Sequence, residues 1–232
     1  MKLSVIVPCY NEVKYIREII SRIKINNHGM DIEIIVVDDN SEDGTKLELN
    51  LLKTENKIDH LVLNPKNMGK GFCVIEGIKL SSGQVILIQD ADLEYDPAEY
   101  KKLVMPIFND QADVVYGSRF IGSESKRVLY FWHSVANRLL TLLSNMLTNI
   151  NLTDMEVCYK AFRSNIIKQL SLKENRFGFE PEVTAKISKI EKIRIFEVGV
   201  SYFGRTFSEG KKIRWRDGIS AVRCIIYYNL FK

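Results

Sequence analysis

Asp90 and Asp92, separated by the small Ala91, form the motif with the clearest chemical meaning in this sequence. In an extended segment, side chains two residues apart point to the same side of the backbone. Both carboxylates are therefore predicted to face one ligand, which Ala91 lets approach the backbone. Carboxylate oxygens suit Mg²⁺ or Mn²⁺, and Glu94 extends the row. We predict a divalent metal site at Asp90, Asp92 and Glu94, whose ion would bridge a diphosphate leaving group.

A second acidic pair, Asp38 and Asp39, follows another apolar run. Strand alternation lets only one of the two face a ligand, so the other is expected to brace the turn. Asp43 is expected to serve as a helix cap or a turn residue. Carboxylates that follow several strands of one parallel sheet face a common crevice, where their mutual repulsion requires cations or hydrogen-bond donors.

Lys70 lies in the segment Asn67-Met68-Gly69-Lys70-Gly71, directly before a predicted helix. Glycines and a lysine at a helix start can bind phosphate. A plain turn from loop to helix explains the segment equally well. The P-loop pattern is absent, because no Gly-Lys-Ser/Thr follows at the required spacing.

The elements that must position these residues alternate along the first half of the chain. Short apolar runs predict strands, and apolar residues at helical spacing predict helices between them. The predicted strands are 3–8, 32–38, 61–63, 85–89, 114–117 and 193–202, and the predicted helices include 44–52, 69–80, 97–108, 133–147, 180–190 and 217–230. This order predicts a single α/β domain, with a mostly parallel sheet covered by helices on both faces. Ligands of such sheets bind beyond the carboxyl ends of the strands.

The composition is that of a globular protein of 232 residues, with 46% hydrophobic and 27% charged residues. The net charge is +7 for residues 186–232 and −3 for the remainder. Such a basic segment favours an anionic partner such as phosphate, a lipid headgroup or nucleic acid. No signal peptide and no run of about 18 apolar residues is found, which predicts a cytoplasmic location. The four cysteines are predicted to be buried, reduced thiols.

As an ordered set, the motifs resemble those of family 2 glycosyltransferases with the GT-A fold, a Rossmann-like architecture. Within that family, the chain is most similar to the dolichol-phosphate mannosyltransferase and dolichol-phosphate glucosyltransferase group. The resemblance covers nearly the whole chain. It rests on Val7-Pro8-Cys9-Tyr10-Asn11-Glu12, Asp38-Asp39-Asn40-Ser41-Glu42-Asp43-Gly44-Thr45, Asp90-Ala91-Asp92-Leu93-Glu94, Gly117-Ser118-Arg119-Phe120, Asp154-Met155-Glu156-Val157-Cys158-Tyr159-Lys160, and Arg205 with Glu209-Gly210-Lys211-Lys212-Ile213.

The resemblance implies a role for several residues of these motifs. It implies a nucleotide-sugar half at 1–117 and an acceptor half at 118–232, with inversion of the anomeric centre by in-line displacement. The nucleoside would contact Pro8, Tyr10, Glu12 and Asp39; the metal and diphosphate would contact Asp90, Asp92 and Glu94; the donor diphosphate and the acceptor phosphate would contact Arg119, Arg205 and Lys212. Catalysis is therefore expected to depend on Asp92, Arg119, Arg205 and Lys212.

Two departures from the pattern concern the acceptor. In the mannosyltransferases an arginine and a serine after Gly-Ser-Arg help to hold the acceptor phosphate, whereas residues 128–133 of this chain contain no such pair. His133, Arg127 and Arg138 are the candidates to replace them. Processive relatives carry Gln-x-x-Arg-Trp, where this chain has a lysine, Lys211, in place of the glutamine. That difference and the lack of membrane helices argue against a polysaccharide synthase.

Two acceptor classes remain open at this stage. A polyprenyl phosphate is already an anionic nucleophile, since its second pKa is about 6, and it needs no general base. A sugar hydroxyl needs a base, for which Asp154 and Glu156 are the candidates if they do not brace the acceptor loop. GDP-mannose, UDP-glucose and UDP-N-acetylglucosamine are all possible donors. A dehydrogenase is disfavoured, because Gly-x-Gly-x-x-Gly does not follow the first strand.

The carboxy-terminal half also suggests a partner outside the active site. The apolar run 224–231 follows a cluster of basic residues, and the predicted helix 133–147 is more apolar than one buried face requires. We expect attachment to the cytoplasmic face of a membrane, directly or through a membrane-protein partner, unless both helices pack on the sheet. No nucleic acid is expected beyond the nucleotide of the donor.

Overall fold

The structure is a computed structural model that describes residues 1–128, 130–206, 209–210 and 215–232, without the side chains of residues 215 and 216. The strands are β1 Lys2–Cys9, β2 Asp31–Asp38, β3 His60–Leu63, β4 Val85–Ile88, β5 Val114–Ser118, β6 Lys160–Arg163 and β7 Ile195–Gly199. The helices are α1 Ile16–Ile25, α2 Thr45–Thr54, α3 Lys70–Leu80, α4 Tyr100–Phe108, α5 Phe131–Thr148, α6 Ser164–Lys168, α7 Phe179–Ile187 and α8 Trp215–Leu230. A 3₁₀ turn, Pro97–Glu99, leads into α4.

The seven described strands form one sheet in the order β3-β2-β1-β4-β6-β5-β7. β1 pairs in parallel with β2 and β4, β2 with β3, and β5 with β7. β6 alone among these strands is antiparallel to its neighbours, β4 and β5. This arrangement confirms the predicted α/β class with a mostly parallel sheet.

Side-chain alternation along β2 divides the core between the two faces of the sheet. Ile34 and Val36 belong to the large core that includes residues of α1 and α2, whereas Ile35 and Val37 pack with Cys73 of α3. Helices therefore cover both faces, as predicted. Among the described helices, none combines the length and the apolar character needed to cross a membrane.

The principal element missing from the sequence prediction is β6. Its four residues include only Ala161 and Phe162 as apolar side chains, which is too weak a pattern to indicate a buried strand. Lys160 is nonetheless fully buried. Its ammonium group donates to the carbonyl oxygen of Val157 and lies 5.1 Å from the ring centre of Tyr116. The predicted strand 193–202 is also shorter in the structure, where β7 spans five residues.

The parallel register brings the predicted polar segments to one edge of the sheet. Cys9, the last residue of β1, is level with Asp38 at the end of β2, and Ile6 of β1 is level with Ile88 at the end of β4. The acidic segment after β4 therefore emerges beside the segments that follow β1 and β2.

Candidate active site

A cleft of about 620 Å³ lies beyond the carboxyl ends of β1, β2 and β4. The segments that follow these strands provide much of its lining, and the turn before α3 and the stretches around residues 156, 176 and 205 provide the remainder. The described residues that line it are Pro8, Cys9, Tyr10, Glu12, Asp39, Asn67, Gly69, Lys70, Cys73, Asp90, Ala91, Asp92, Glu94, Tyr95, Arg119, Glu156, Cys158, Arg176, Phe177, Tyr202, Arg205 and Asp217.

The two adjacent aspartates at the carboxyl end of β2 divide their roles as predicted. Asp38 is fully buried, and its carboxylate accepts hydrogen bonds from the backbone N–H and the hydroxyl of Ser41, so it braces the turn. Asp39 lines the cleft and accepts hydrogen bonds from the N–H groups of Met68 and Gly69, at 2.7 and 2.8 Å. Asp43 accepts hydrogen bonds from the backbone N–H groups of Val13 and Thr45, which confirms its expected turn role.

The same contacts decide the role of the glycines before α3. A Cβ atom on Gly69 would lie 2.4 Å from the carbonyl oxygen of Asn175, and one on Gly71 would lie 2.2 Å from that of Glu174. Gly69 also has φ +103°, a conformation that favours glycine. These glycines let the 174–176 backbone pack closely, and Asp39 already accepts from the N–H of Gly69. The structure therefore favours the turn interpretation over a phosphate-binding loop.

Arg205 lies among three carboxylates of the cleft. Its Nη1 and Nη2 atoms donate to the two carboxylate oxygens of Glu12 at 3.0 and 3.1 Å, and Nη2 also donates to Asp92 at 2.6 Å. Its Nε lies 3.4 Å from the Glu94 carboxylate, which also accepts from the Arg205 backbone N–H at 2.8 Å. Burial, together with the charges of Asp90 and Glu94, raises the pKa of Asp92 to about 8. Arg205 supplies one positive charge to the three carboxyl groups of Glu12, Asp92 and Glu94, so these groups are not fully neutralised.

Lys70 is the cationic partner of the other aspartate in the motif. Its ammonium group lies 2.6 Å from the Asp90 carboxylate and 2.7 Å from the sulfur of Cys158. Burial opposes ionisation of Asp90, but the charge of Lys70 outweighs it and lowers the pKa of this carboxyl. Asp90 and Asp92 are therefore paired with two different cations.

The donor set fits a divalent metal in chemical type, although its carboxylates are paired with side-chain cations. Glu12, Asp90, Asp92 and Glu94 all line the cleft and offer the oxygen ligands that Mg²⁺ and Mn²⁺ prefer. Within the part of the chain that the structure describes, no three His, Cys, Asp or Glu side chains converge closely enough to hold an ion. Binding of a metal by Asp92 would require Arg205 to move away from this carboxylate.

Arg119 follows β5 and is held by Asp154. Its Nε and Nη2 atoms donate to the two oxygens of the Asp154 carboxylate at 2.6 and 2.7 Å, and its backbone N–H donates to the same group. Asp154 is 0% exposed. Its backbone N–H and that of Thr153 donate to Glu197 of β7. Asp154 therefore orients Arg119 from behind the cleft, which is the bracing role considered for it.

A buried group of ionisable side chains lies near the cleft around Glu156. One carboxyl oxygen of Glu156 and both of Glu180 are buried without a hydrogen-bond partner. Burial and the nearby Glu180 raise the pKa of Glu156 to about 8. Glu180 lies 4.0 Å from the ammonium group of Lys70. Burial lowers the pKa of Lys160, whose ammonium group donates to the carbonyl oxygen of Val157.

The cleft gathers most, but not all, of the predicted site residues. Pro8, Tyr10, Glu12, Asp39, Lys70, Asp90, Ala91, Asp92, Glu94, Arg119 and Arg205 line it. Asp154 and His133 are not among its described lining residues; His133 instead contacts Tyr130 in the first turn of α5, with 5.5 Å between ring centres. Arg138 lies over the ring of Phe120, and Arg127 pairs with Glu209. Lys212 lies outside the described residues.

One prediction about the cysteines was wrong. Cys9, Cys73 and Cys224 are buried free thiols, as expected, but Cys158 is only half-buried, and its sulfur lies in the cleft beside Lys70. Its apolar neighbours in sequence, Val157 and Tyr159, are fully buried, so the apolar stretch did not indicate the partial exposure of Cys158. The sequence prediction also missed Tyr95, Tyr202, Arg176, Phe177 and Asp217 as lining residues, and no local motif marks them.

Comparison with known sequences gives a consistent family. The model of "Glycosyl transferase family 2" matches residues 4–171. The chain is 30% identical to dolichol-phosphate mannosyltransferase of Pyrococcus furiosus, over 92% of this chain and 61% of that protein. It is 26% identical to undecaprenyl-phosphate mannosyltransferase of Micrococcus luteus, over 91% of this chain and 87% of that protein. It is 28% identical to the UDP-N-acetylglucosamine–dolichyl-phosphate N-acetylglucosaminyltransferase of Methanococcus voltae, over 85% of this chain and 84% of that protein.

Solved structures support the fold. Glucosyl-3-phosphoglycerate synthase from Mycobacterium tuberculosis, crystallised with Mn²⁺, UDP and glucosyl-3-phosphoglycerate, superposes with a TM-score of 0.73. The match covers 98% of this chain and 80% of that chain at 18% sequence identity. At this identity the likeness establishes the architecture alone.

Proposed function

The chain belongs to glycosyl transferase family 2, and from this premise we propose that it transfers a hexose from a UDP- or GDP-sugar to a polyprenyl phosphate, with inversion and with help from Mg²⁺ or Mn²⁺. The three curated relatives are each named for a transfer to dolichyl or undecaprenyl phosphate. This chain spans 61% of the length of the Pyrococcus furiosus relative. The activity of the whole protein is therefore part of the proposal.

The observation that carries the proposal is the combination of carboxylates and cations in one cleft beyond the strand ends. Asp39, Asp90 and Asp92 line the cleft together with Lys70, Arg119 and Arg205. A nucleotide sugar and a phosphate acceptor bring several negative charges into one site, which requires positive charge around the reacting atoms. Preorganised charge of this kind is a major source of catalysis in group transfer.

The charged residues of the cleft have different roles in the proposed reaction. Glu12 and Asp39 are suited to bind hydroxyl or N–H groups of the nucleoside, since carboxylates accept such hydrogen bonds. Asp90 and Asp92, with Glu94, would hold the ion, which supplies positive charge to the leaving diphosphate. Arg205, which already contacts this acidic cluster, and Arg119, fixed by Asp154, are placed to attract the phosphates.

The environment of the candidate bases favours the phosphate acceptor. Asp154 is fully buried and both of its oxygens are held by Arg119, so removal of a hydroxyl proton by Asp154 would disrupt that pair. Glu156 is the remaining candidate base that lines the cleft. A phosphate monoester needs no base, because its second pKa is about 6 and it is largely ionised at neutral pH. Positioning and charge stabilisation are then sufficient.

We also propose that the protein acts at a membrane surface. α5 exposes Leu139, Leu142 and Met146, and the residues at its start, Phe131 and Trp132, are exposed as well. α8, which packs against α5 and α7, exposes further apolar side chains. Apolar side chains at the interface and basic residues near anionic headgroups would together support attachment. Such a location would bring the cleft to a lipid-linked acceptor.

A direct transfer assay tests the function. Purified protein is incubated with labelled UDP-glucose, UDP-N-acetylglucosamine or GDP-mannose, and with either a short polyprenyl phosphate or a saccharide acceptor. We expect label in an acid-labile lipid product with one of the donors. Transfer to the saccharide but not to the lipid phosphate would contradict the proposed acceptor, and no transfer with any pair would contradict the proposed reaction.

A further inference from the structure

We propose that Glu156 is a specificity-determining residue of the cleft, which hydrogen-bonds a hydroxyl group of the hexose during transfer and so selects the donor sugar. This inference rests on the proposed function. It assigns a ligand to a buried acidic group that the diphosphate and the metal would not use.

The unsatisfied state of the Glu156 carboxyl is the first observation. Glu156 lines the cleft, yet one of its carboxyl oxygens is buried and has no hydrogen-bond partner. Buried polar atoms in native proteins are almost always hydrogen-bonded, so an orphaned oxygen at a cleft wall needs a partner from the ligand or from water. A hydroxyl group of the substrate would provide that partner, and it would do so only while the substrate is bound.

The surroundings of Glu156 favour a neutral hydroxyl over a phosphate. Glu180 is 3% exposed and is not among the described lining residues of the cleft, and neither of its oxygens has a hydrogen-bond partner in the described part of the chain. Burial of the site, together with the negative charge of Glu180, raises the pKa of Glu156 to about 8, so the carboxyl keeps its proton through most of the neutral range. A protonated carboxyl donates one hydrogen bond and accepts others, which matches a sugar hydroxyl.

The cations of the cleft are distributed in a way that separates the sugar from the phosphates. Arg205 contacts Asp92, Glu94 and Glu12, whereas Lys70, which Asp90 already neutralises, lies 4.0 Å from the Glu180 carboxylate. The charges of Lys160 and Arg119 also act on Glu156, but burial and Glu180 outweigh them, so this carboxyl presents a polar, uncharged group to the cleft. A hexose fits such a site, because its hydroxyl groups need hydrogen bonds but no counter-charge.

The experiment compares the binding of nucleotide sugars with that of the nucleoside diphosphates UDP and GDP, which lack the sugar. Calorimetry with Mn²⁺ present is carried out on the wild type, Glu156→Ala and Glu156→Gln. Glu33→Gln is the matched control, because Glu33 is a buried carboxyl near the amino end of β2, away from the cleft, where it accepts a hydrogen bond from Ser4 of β1. Thermal unfolding of every variant checks that it is folded.

We expect Glu156→Ala to weaken the binding of the preferred nucleotide sugar by about tenfold or more, because a site built to hydrogen-bond a hydroxyl group loses that contact. Its affinity for the nucleoside diphosphate should stay within about twofold of the wild type, a change too small to reflect a lost hydrogen bond. Glu156→Gln, which keeps one donor and one acceptor, should retain most of the affinity but change the preference between donors that differ at one hydroxyl. The control should change neither quantity.

The outcomes distinguish this inference from the proposed function. If the wild type binds a nucleotide sugar and both variants bind it unchanged, the role of Glu156 is wrong while the proposed function stands. An equal loss of affinity for the nucleotide sugar and for the nucleoside diphosphate also overturns it. So does a loss of turnover in the transfer assay with unaltered donor affinity and preference, because that result would indicate a general base. If the wild type binds neither UDP- nor GDP-sugars, the proposed function fails and this inference fails with it.

Discussion

The guanidinium group of Arg205 donates a 2.6 Å hydrogen bond to Asp92, across 113 residues of sequence. Arg205 thereby sits against the carboxylate expected to hold a divalent cation. A metal ion and a guanidinium group cannot share the same carboxylate oxygens at full strength, so they compete for Asp92. This competition makes Arg205 a determinant of metal affinity.

We predict that Arg205→Ala increases the affinity of the nucleotide-free protein for Mn²⁺ by about tenfold, because removal of one competing ion pair is worth on the order of 1 kcal/mol or more. Titration of Mn²⁺ followed by electron paramagnetic resonance measures this directly. Arg194→Ala is the control, since Arg194 pairs with Asp110 and Asp113, which do not line the cleft. Unchanged or weaker Mn²⁺ binding in Arg205→Ala would contradict the competition.

Asp92→Asn should reduce transfer by about 100-fold or more while the fold remains intact, because the substitution keeps the shape but removes a ligand and its charge. Asp90→Asn should act in the same direction. Initial rates and circular dichroism spectra are the two measurements. The metal assignment itself is tested by adding EDTA to the wild type: activity equal to that in Mn²⁺ would exclude a metal-dependent reaction.

Arg119→Ala should lower the free energy of unfolding by about 3–5 kcal/mol, because it leaves the fully buried Asp154 carboxylate without its cation. Urea denaturation provides the measurement. The double variant Arg119→Leu with Asp154→Leu should recover much of this loss, since neither charge then remains buried alone. A single variant as stable as the wild type would show that Asp154 is satisfied without Arg119.

Glu156 should make stability fall as the pH rises. Its pKa is raised from 4.5 to about 8 by burial and by Glu180, so between these pH values the folded protein binds a proton that the unfolded chain releases. Stability therefore decreases as pH rises from about 4.5 towards 8. Glu156→Gln should flatten this part of the curve, as measured by urea denaturation at several pH values. A curve of unchanged slope would mean that Glu156 ionises normally.

The exposed apolar side chains of α5 should contribute to membrane attachment. We expect co-sedimentation with vesicles that contain anionic lipid, weakened by added salt because the basic contribution is electrostatic. Leu139→Glu with Met146→Glu should reduce binding, because both side chains are largely exposed and would no longer enter the interface. Leu47→Glu, an exposed position on α2, is the control. Binding unaffected by both helix substitutions would assign the attachment elsewhere.

Local sequence patterns were sufficient to predict most of the elements and the position of the cleft. β1, β2 and β4 are apolar runs whose polar ends, including Asp39 and Asp90, must meet once the strands pair in parallel. The division of roles between Asp38 and Asp39 also followed from side-chain alternation. These features depend on residues close together in the chain, and local periodicity encodes them directly.

Only the tertiary structure decided which side chains neutralise one another. Arg205 reaches Glu12 across 193 residues, Lys70 reaches Cys158 across 88, and Arg119 reaches Asp154 across 35. β6 inserts antiparallel between β4 and β5, although its sequence gives little sign of a strand. Such pairings depend on which strands become neighbours and on where each loop returns. The periodicity of the sequence therefore determined the edge of the sheet at which the active-site residues lie. Long-range packing determined the partner of each charged side chain, because buried charges must be brought together to offset the cost of their burial.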